Sequence, residues 1–433
     1  MRGLSKRWMA GILLCLSLCF TGCGEEKLVS EDFVKANSRS YLMNPIMKTE
    51  KGFYYNQSAF NELSLHYYDV KNGKNMYLCN KPECRHEGDE FCVATSDKYK
   101  VMDTAMYSGN LYISVVEETE TAYEYKLLKA TLDGSSLSEV VTYFSIDNVS
   151  LMPGRSPIIT KNMTIHRNKA FLPYVLMNSD NMSVGISGTA IYDMETGEVT
   201  YLGEKEGDLK IQNGKFCGYG DYMYYVSAQK YKKELYRYSY ADGSVEKVEL
   251  KQGFKGNYAI YDENTIYYIR GAGEVHIWKR DTGESTQVDT EPWRGFWETL
   301  ETENGPKSVM SVGYSLSDVL CDGEYVYVPE GFNFDYSTHI YEHESYATQK
   351  LIDYVEVTIL DGEGNYVNDV KISPKKYLGY NEYFVLHFVD DMVYMQTSVM
   401  VYECSKADFI AGNANFKECY PIDIHITSVK EFE

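Results

Sequence analysis

The stretch GDYMYYVS at residues 220–227, followed by LYRYSYADGS at residues 235–244, contains the unit that decides the fold of this chain. The first part is an unbroken apolar run, which is typical of a strand covered on both faces. The second part alternates, which is typical of a strand with one exposed face. Asp242 and Gly243 then provide the positive φ that a tight hairpin requires. The stretch predicts two β-strands that end at a hairpin turn.

Segments of this kind recur along the chain, with starts roughly 45 to 70 residues apart, as four-stranded blades with loop insertions would give. The seven copies of the first strand are KGFYYNQ (51–57), SGNLYISVV (108–116), NKAFLPYVL (168–176), GDYMYYVS (220–227), ENTIYYIRG (263–271), DGEYVYVPE (322–330) and DDMVYMQTS (390–398). They predict an all-β chain folded as a seven-bladed β-propeller. An eight-bladed ring, with a further blade in residues 290–320, and a pair of β-sandwiches are the alternatives.

Closure of the ring requires contact between the two ends of the chain, because each blade alone is a marginal open sheet. We expect residues 420–428 to pair with a strand at about residues 41–48. Tyrosine dominates the aromatic residues, with 41 Tyr against 17 Phe and 4 Trp. Tyrosine favours strands because its ring packs on a pleated surface, and we expect its hydroxyl to reach water at the sheet edges.

The N-terminus has the features of an export signal. Arg2, Lys6 and Arg7 precede an apolar run at residues 9–20 that is too short to span a bilayer as a permanent helix. The sequence that ends at Cys23 resembles the bacterial lipobox, in which small residues precede a cysteine that is acylated. An ordinary secretory signal is the alternative. The predicted organisation is a signal peptide at 1–22, a lipidated Cys23 with a flexible tether at 23–40, and a β-propeller at 41–433.

The expected location is therefore the extracytoplasmic face of a cell membrane, with attachment through the lipid. The formal net charge of −21 repels phosphate backbones and anionic headgroups. This charge argues against a nucleic-acid partner and against adhesion of the folded body to the membrane. We expect a monomer.

The chain resembles a group of bacterial lipoproteins. The lipobox-like end, the Tyr-rich strands with LYRY before a DG turn, and a Cys-x4-Cys-x-His-x5-Cys segment are similar to those of the lipid-anchored β-propeller proteins of clostridia and related gut anaerobes. That group is commonly placed with propellers similar to those of low-density-lipoprotein-receptor-related proteins. The resemblance implies a fold and a location, and it implies no settled activity.

The segment LCNKPECRHEGDEFC at residues 78–92 groups three cysteines and one histidine. A tight turn between Cys79 and Cys84 would bring their thiols together, while Cys84 and His86 lie on one side of an extended segment and a further turn returns Cys92. These four residues form a possible structural zinc site, since a Cys3His set fills all four tetrahedral positions.

A local disulfide with one free thiol is the alternative to the zinc site, because disulfides form in exported proteins. The mature chain has an odd number of cysteines beyond Cys23, so at least one would stay unpaired. A redox or catalytic cysteine is a third alternative, although Cys-x-x-Cys is absent. The scattered cysteines are predicted to be buried strand residues: Cys217, Cys321, Cys404 and Cys419.

A second possible metal motif is H-x-x-E-H at His339, Glu342 and His343. In zinc peptidases these residues share a helix face, but here they fall in an aromatic-rich insertion with modest helical character. The context favours a chance match, with an incidental divalent ion as the alternative.

These observations favour a non-enzymatic binding or interaction scaffold for a protein or glycan, because they give a rigid ring with inserted loops and no local catalytic motif. The alternative is a glycan-acting hydrolase or lyase whose site lies in the propeller funnel, with catalytic residues that local spacing would not identify. A third possibility is an accessory subunit of a membrane assembly.

Overall fold

The structure is a computed structural model that describes residues 46–57, 62–87, 92–147, 155–157, 163–178, 183–203, 215–229, 232–270, 274–288, 298–302, 305–309, 319–334, 352–373, 384–397 and 400–422. Cys23, the predicted signal peptide and the predicted tether lie outside these ranges.

The first two sheets contain thirteen antiparallel strands. The first sheet is formed by β1 (Met47–Lys48), β2 (Gly52–Asn56), β3 (Glu62–Asp69), β4 (Lys74–Tyr77), β5 (Thr95–Tyr107), β6 (Asn110–Glu118), β7 (Ala122–Thr131) and β8 (Leu137–Asp147). The second is formed by β9 (Arg155–Pro157), β10 (Thr164–His166), β11 (Lys169–Asn178), β12 (Ser183–Asp193) and β13 (Val199–Tyr201).

Two four-stranded sheets follow, and then a hairpin. Their strands are β14 (Phe216–Tyr219), β15 (Tyr222–Gln229), β16 (Lys232–Ser239) and β17 (Val245–Val248); then β18 (Phe254–Ile260), β19 (Thr265–Arg270), β20 (Glu274–Lys279) and β21 (Ser285–Gln287); then the hairpin β22 (Glu298–Thr302) and β23 (Gly305–Val309).

The last two sheets also have four strands each. They are formed by β24 (Leu320–Cys321), β25 (Val326–Phe334), β26 (Ile352–Leu360) and β27 (Tyr366–Ile372), and by β28 (Val385–Val389), β29 (Met392–Gln396), β30 (Met400–Ser405) and β31 (Lys417–Pro421). A short helix α1 (Lys406–Ile410) separates β30 from β31, and the Ser405 side chain caps it by accepting from the Asp408 amide. Within the described ranges, no helix has the length and apolar character needed to cross a membrane.

The predicted all-β, β-propeller fold is confirmed. Five sheets of four or five strands are separate blades among the described residues, which is fewer than the seven predicted or the alternative eight. The difference arises where β3 pairs with β5, through Leu63 with Ser96 and Ser64 with Thr95, because this pairing joins the first two repeats into one eight-stranded sheet. In residues 290–320, where the alternative put a further blade, the described strands include only the β22–β23 hairpin and the first residue of β24.

Tyrosine side chains connect neighbouring sheets through their hydroxyl groups. The Tyr125 hydroxyl donates to the carbonyl of Val175 at 3.1 Å, from β7 to β11. Equivalent bonds run from Tyr258 to Tyr224 at 3.0 Å and from Tyr267 to Asp361 at 3.0 Å. Within the eight-stranded sheet, the bond from Tyr54 to Leu132 at 3.2 Å joins the first repeat to the second in the same way. The expectation that tyrosine hydroxyls reach water is wrong for these residues, since a ring enclosed between two sheets must find its polar partner there.

The ring closes through aromatic side chains. Phe53 and Tyr55 of β2 lie against Tyr420 of β31, with ring centroids 4.7 and 5.2 Å apart, and the Tyr55 hydroxyl donates to the Pro421 carbonyl at 3.3 Å. The predicted pairing of residues 420–428 with residues 41–48 stays a prediction, because residues 41–45 and 423–428 lie outside the described ranges. Among the described residues, Tyr420 pairs with Val401 of its own sheet, and Met47 pairs with Tyr54 of its own.

Candidate metal centre

The four residues of the cysteine segment come together where the chain passes from β4 to β5. The Cys79, Cys84 and Cys92 sulfurs and a His86 nitrogen all lie within 4.8 Å of one another. Among the described residues, this is the one group of three or more His, Cys, Asp or Glu side chains that could hold a metal ion. The predicted turn is present, because the Cys84 amide donates to the Lys81 carbonyl at 3.2 Å.

The backbone around Cys79 is fixed by two distant parts of the chain. The Leu78 amide donates to Leu65 of β3 at 2.9 Å, and the Asn80 amide donates to Gly134 in the β7–β8 turn at 3.1 Å. Gly134 has a φ of +68° and lies so close that an added Cβ would be 2.8 Å from the Cys79 nitrogen. The cysteine loop is therefore held between the first two repeats.

Cys92 is the buried ligand, with 6% of its surface exposed. Its sulfur accepts hydrogen bonds from the Thr95 amide at 3.3 Å and from the Thr95 hydroxyl at 3.2 Å. The neighbouring Ala94 carbonyl accepts from the Leu65 amide at 2.7 Å, which ties this side of the loop to β3 as well.

His86 faces Cys92 through Nδ1, which lies 3.6 Å from the Cys92 sulfur. Its backbone has a φ of 59°, in the left-handed region that non-glycine residues rarely adopt. The imidazole stacks on Tyr77, with ring centroids 4.7 Å apart and an angle of 26° between the planes. The side chain is thus oriented by a contact as well as by its backbone.

The pKa values of the Cys79 and Cys84 thiols are shifted in opposite directions. Burial by itself raises the pKa of the Cys79 thiol, but amide hydrogen bonds from Lys81 and Val93, and thiol hydrogen bonds from Cys84 and Cys92, lower it overall. Desolvation raises the pKa of Cys84 to about 11, and its hydrogen bonds to the other two thiols add to that increase. Deprotonation is therefore favoured at Cys79 over Cys84, and the thiolate is the form of cysteine that binds a metal.

The described cysteines all carry free thiols. A disulfide would require two sulfurs about 2.05 Å apart, and no such bond links the cluster. As predicted, Cys217, Cys321 and Cys404 are buried in strands. Cys419 is half-buried in β31, and its thiol donates to a Glu403 carboxylate oxygen at 3.4 Å.

His339, Glu342 and His343 lie outside the described residues, so the H-x-x-E-H motif stays a prediction. Three residues of the site have roles that the sequence did not indicate: Tyr77, Thr95 and Gly134. Tyr77 had only a weak signal, an aromatic residue two positions before Cys79, because the chain bends at Leu78 and the Cys79 amide donates back to the Tyr77 carbonyl at 2.8 Å. Gly134 had none, since its DG turn looks like every other hairpin in the chain.

No family model and no curated protein matches the sequence. Solved structures with a similar fold include an oligogalacturonate lyase from Vibrio parahaemolyticus, at 10% identity and a TM-score of 0.39 over 66% of this chain and 72% of that one. They also include oligopeptidase B from Leishmania major, at 11% identity and a TM-score of 0.44, over 88% of this chain and 48% of that one. BamB from Moraxella catarrhalis matches at 10% identity and a TM-score of 0.35, over 84% of this chain and 94% of that one. At these identities the similarity concerns the fold alone.

We expect the chain from residue 24 onward, purified under reducing conditions, to contain about one divalent metal ion. A Cys84→Ser, His86→Ala double variant should lose most of it, because two of four ligands are gone. Cys419→Ser is the matched control, since this half-buried cysteine lies outside the cluster. Elemental analysis by mass spectrometry measures the content, and a parent chain without metal would contradict the assignment.

We expect Gly134→Ala to weaken metal binding by about tenfold, the lower end of the effect of groups that orient ligands. The added methyl would displace the Cys79 backbone. Gly109→Ala is the control, because Gly109 has a nearly identical φ of +69° and no atom within 4 Å of an added Cβ. Both variants carry the same backbone strain of about 1 kcal/mol. A difference between their metal affinities, measured by competition with a chromophoric chelator, therefore reports the clash with Cys79 alone. Equal affinities in the two variants would show that Gly134 does not support the site.

Proposed function

We propose that Cys79, Cys84, His86 and Cys92 hold a structural zinc ion. Thiolate and imidazole ligands are the usual zinc set, with Zn–S of about 2.3 Å and Zn–N of about 2.0–2.1 Å. Tetrahedral angles then separate sulfur from nitrogen by about 3.6 Å, and the observed distance from the Cys92 sulfur to His86 Nδ1 is 3.6 Å. Four protein ligands leave no open position for water or substrate, so the ion would stabilise structure and take no part in catalysis.

The zinc ion would fix a connection that has little hydrophobic support. Three of the four residues of β4 are exposed. Of the described loop residues up to Glu87 and from Cys92 onward, Leu78, Cys92, Val93 and Ala94 are buried. Structural zinc sites supply about 10–16 kcal/mol of apparent binding free energy. An ion here would hold the first repeat against the second.

We further propose that the ring has seven blades, with the eight-stranded sheet contributing two. Leu63 and Leu65 of β3 share a buried cluster with Ile113 and Leu128 of β6 and β7. Six further clusters lie between the other consecutive sheets, and one of them joins the last sheet to the first. Residues of a single flat sheet could not enclose a core in this way. A crystal structure of residues 41–433 should show two packed units here, and one continuous face from β1 to β8 would contradict the count.

The function that these features support best is that of a monomeric lipoprotein scaffold on the extracytoplasmic face of the membrane, anchored at Cys23. The single observation that carries it is the closed ligand set of the metal cluster, which provides rigidity without an open coordination position. A rigid ring presents loops for binding a protein or glycan, and the net charge of −21 disfavours nucleic acid. The alternative is a glycan-acting hydrolase or lyase with its site in the funnel.

One experiment tests anchoring and binding together. The full chain and its Cys23→Ala variant are expressed in a Gram-positive bacterium. Labelled animal glycans and extracellular-matrix proteins are then applied to the cells and, separately, to the culture medium. We expect cells with the full chain to bind a ligand at their surface. The Cys23→Ala variant should be released, so that the same ligand is bound in the medium. Saturable binding without turnover supports the scaffold. Release of shortened or unsaturated glycan products would favour the enzyme, and binding of neither class would contradict the proposal.

A further inference from the structure

Tyr77 lies between two imidazole rings. Its ring centroid is 4.7 Å from that of His86 on one side and 4.6 Å from that of His66 on the other. The planes are inclined by 26° and 40° respectively. Tyr77 belongs to β4, and 37% of its surface is exposed.

The inner end of this stack is firmly held. His66 is 3% exposed, its Nε2 lies 3.0 Å from the Ser64 hydroxyl, and its ring stacks on Tyr55 with centroids 5.6 Å apart. Burial lowers the pKa of His66 to about 4, so this ring is neutral at pH 7. Ser64 also pairs in register with Thr95, whose amide and hydroxyl donate to the Cys92 sulfur. One strand pair therefore supports both the stack and the buried ligand.

We propose that Tyr77 is a positioning residue for the metal, acting through the imidazole of His86; this inference rests on the zinc site proposed above. The left-handed backbone of His86 sets where its side chain begins, but a ring without a contact would still rotate about its side-chain bonds. Stacking on Tyr77 fixes the ring plane with Nδ1 toward the Cys92 sulfur. A zinc-bound imidazole is also electron-poor, and it stacks more favourably on the electron-rich tyrosine ring than a free imidazole does.

The role predicted for Tyr77 depends on its ring and is independent of its hydroxyl. Tyr77→Leu should weaken zinc binding by about tenfold, as loss of a group that orients a metal ligand does. Tyr77→Phe should stay within about twofold of the parent. Tyr366→Leu is the control, because Tyr366 is also on an outer strand and is 60% exposed.

A second background separates positioning from general structural support. His86→Cys replaces the imidazole by a thiolate and leaves a four-cysteine set that can still bind zinc. If Tyr77 acts through the imidazole, Tyr77→Leu should change zinc affinity by less than about twofold in this background. Cobalt(II) gives a further readout, since its visible absorption reports the ligand set. Tyr77→Leu should shift the bands of the parent and leave those of the His86→Cys chain unchanged.

The possible results decide between the two proposals. A tenfold loss confined to the His86 background, with rescue by phenylalanine, supports the positioning role. An equal loss in both backgrounds, or no loss in either, overturns it and leaves the zinc site standing. A parent chain that binds neither zinc nor cobalt overturns both.

Discussion

The hydroxyl of a tyrosine enclosed between two sheets must find a hydrogen-bond partner there, and at several interfaces of the ring that partner is a carbonyl on the neighbouring sheet. Tyr125, Tyr258 and Tyr55 each satisfy this requirement across a different interface. A buried polar group left without a partner costs about 1–3 kcal/mol, so these bonds fix how far apart and in which register neighbouring sheets can sit. A phenylalanine at these positions would fill the same space without a hydroxyl to specify that register.

The strands could be predicted from the sequence because their signal is local. KGFYYNQ at 51–57 contains β2, and DDMVYMQTS at 390–398 contains β29. The contacts between repeats could not, since the partners of Tyr125, Tyr258 and Tyr55 are backbone carbonyls, which every residue has. The same limit applies to ring closure, where Tyr420 packs on Phe53 through side chains and leaves no pairing pattern to read. The pairing of β3 with β5 is likewise non-local, because the cysteine loop separates the two strands in sequence.

The cluster of Cys79, Cys84, His86 and Cys92 also has a part that local sequence predicts and a part that it does not. Spacing within fifteen residues sufficed to predict that Cys79, Cys84, His86 and Cys92 converge, because two turns and an extended step bring them together locally. The parts that hold the cluster in place are non-local. Gly134 contacts Cys79 from a turn that lies in the second repeat.

The position of the cluster follows from where the ring is least able to support itself. β4 has only four residues, and three of them are exposed, so hydrophobic burial contributes little at this outer edge. Yet β3 must pair with β5 here, and a long connection without support would open readily. A metal ion held by the four residues of the cluster next to that pairing would supply the missing constraint from few residues. On the proposal of a structural ion, the three thiols fasten two repeats together.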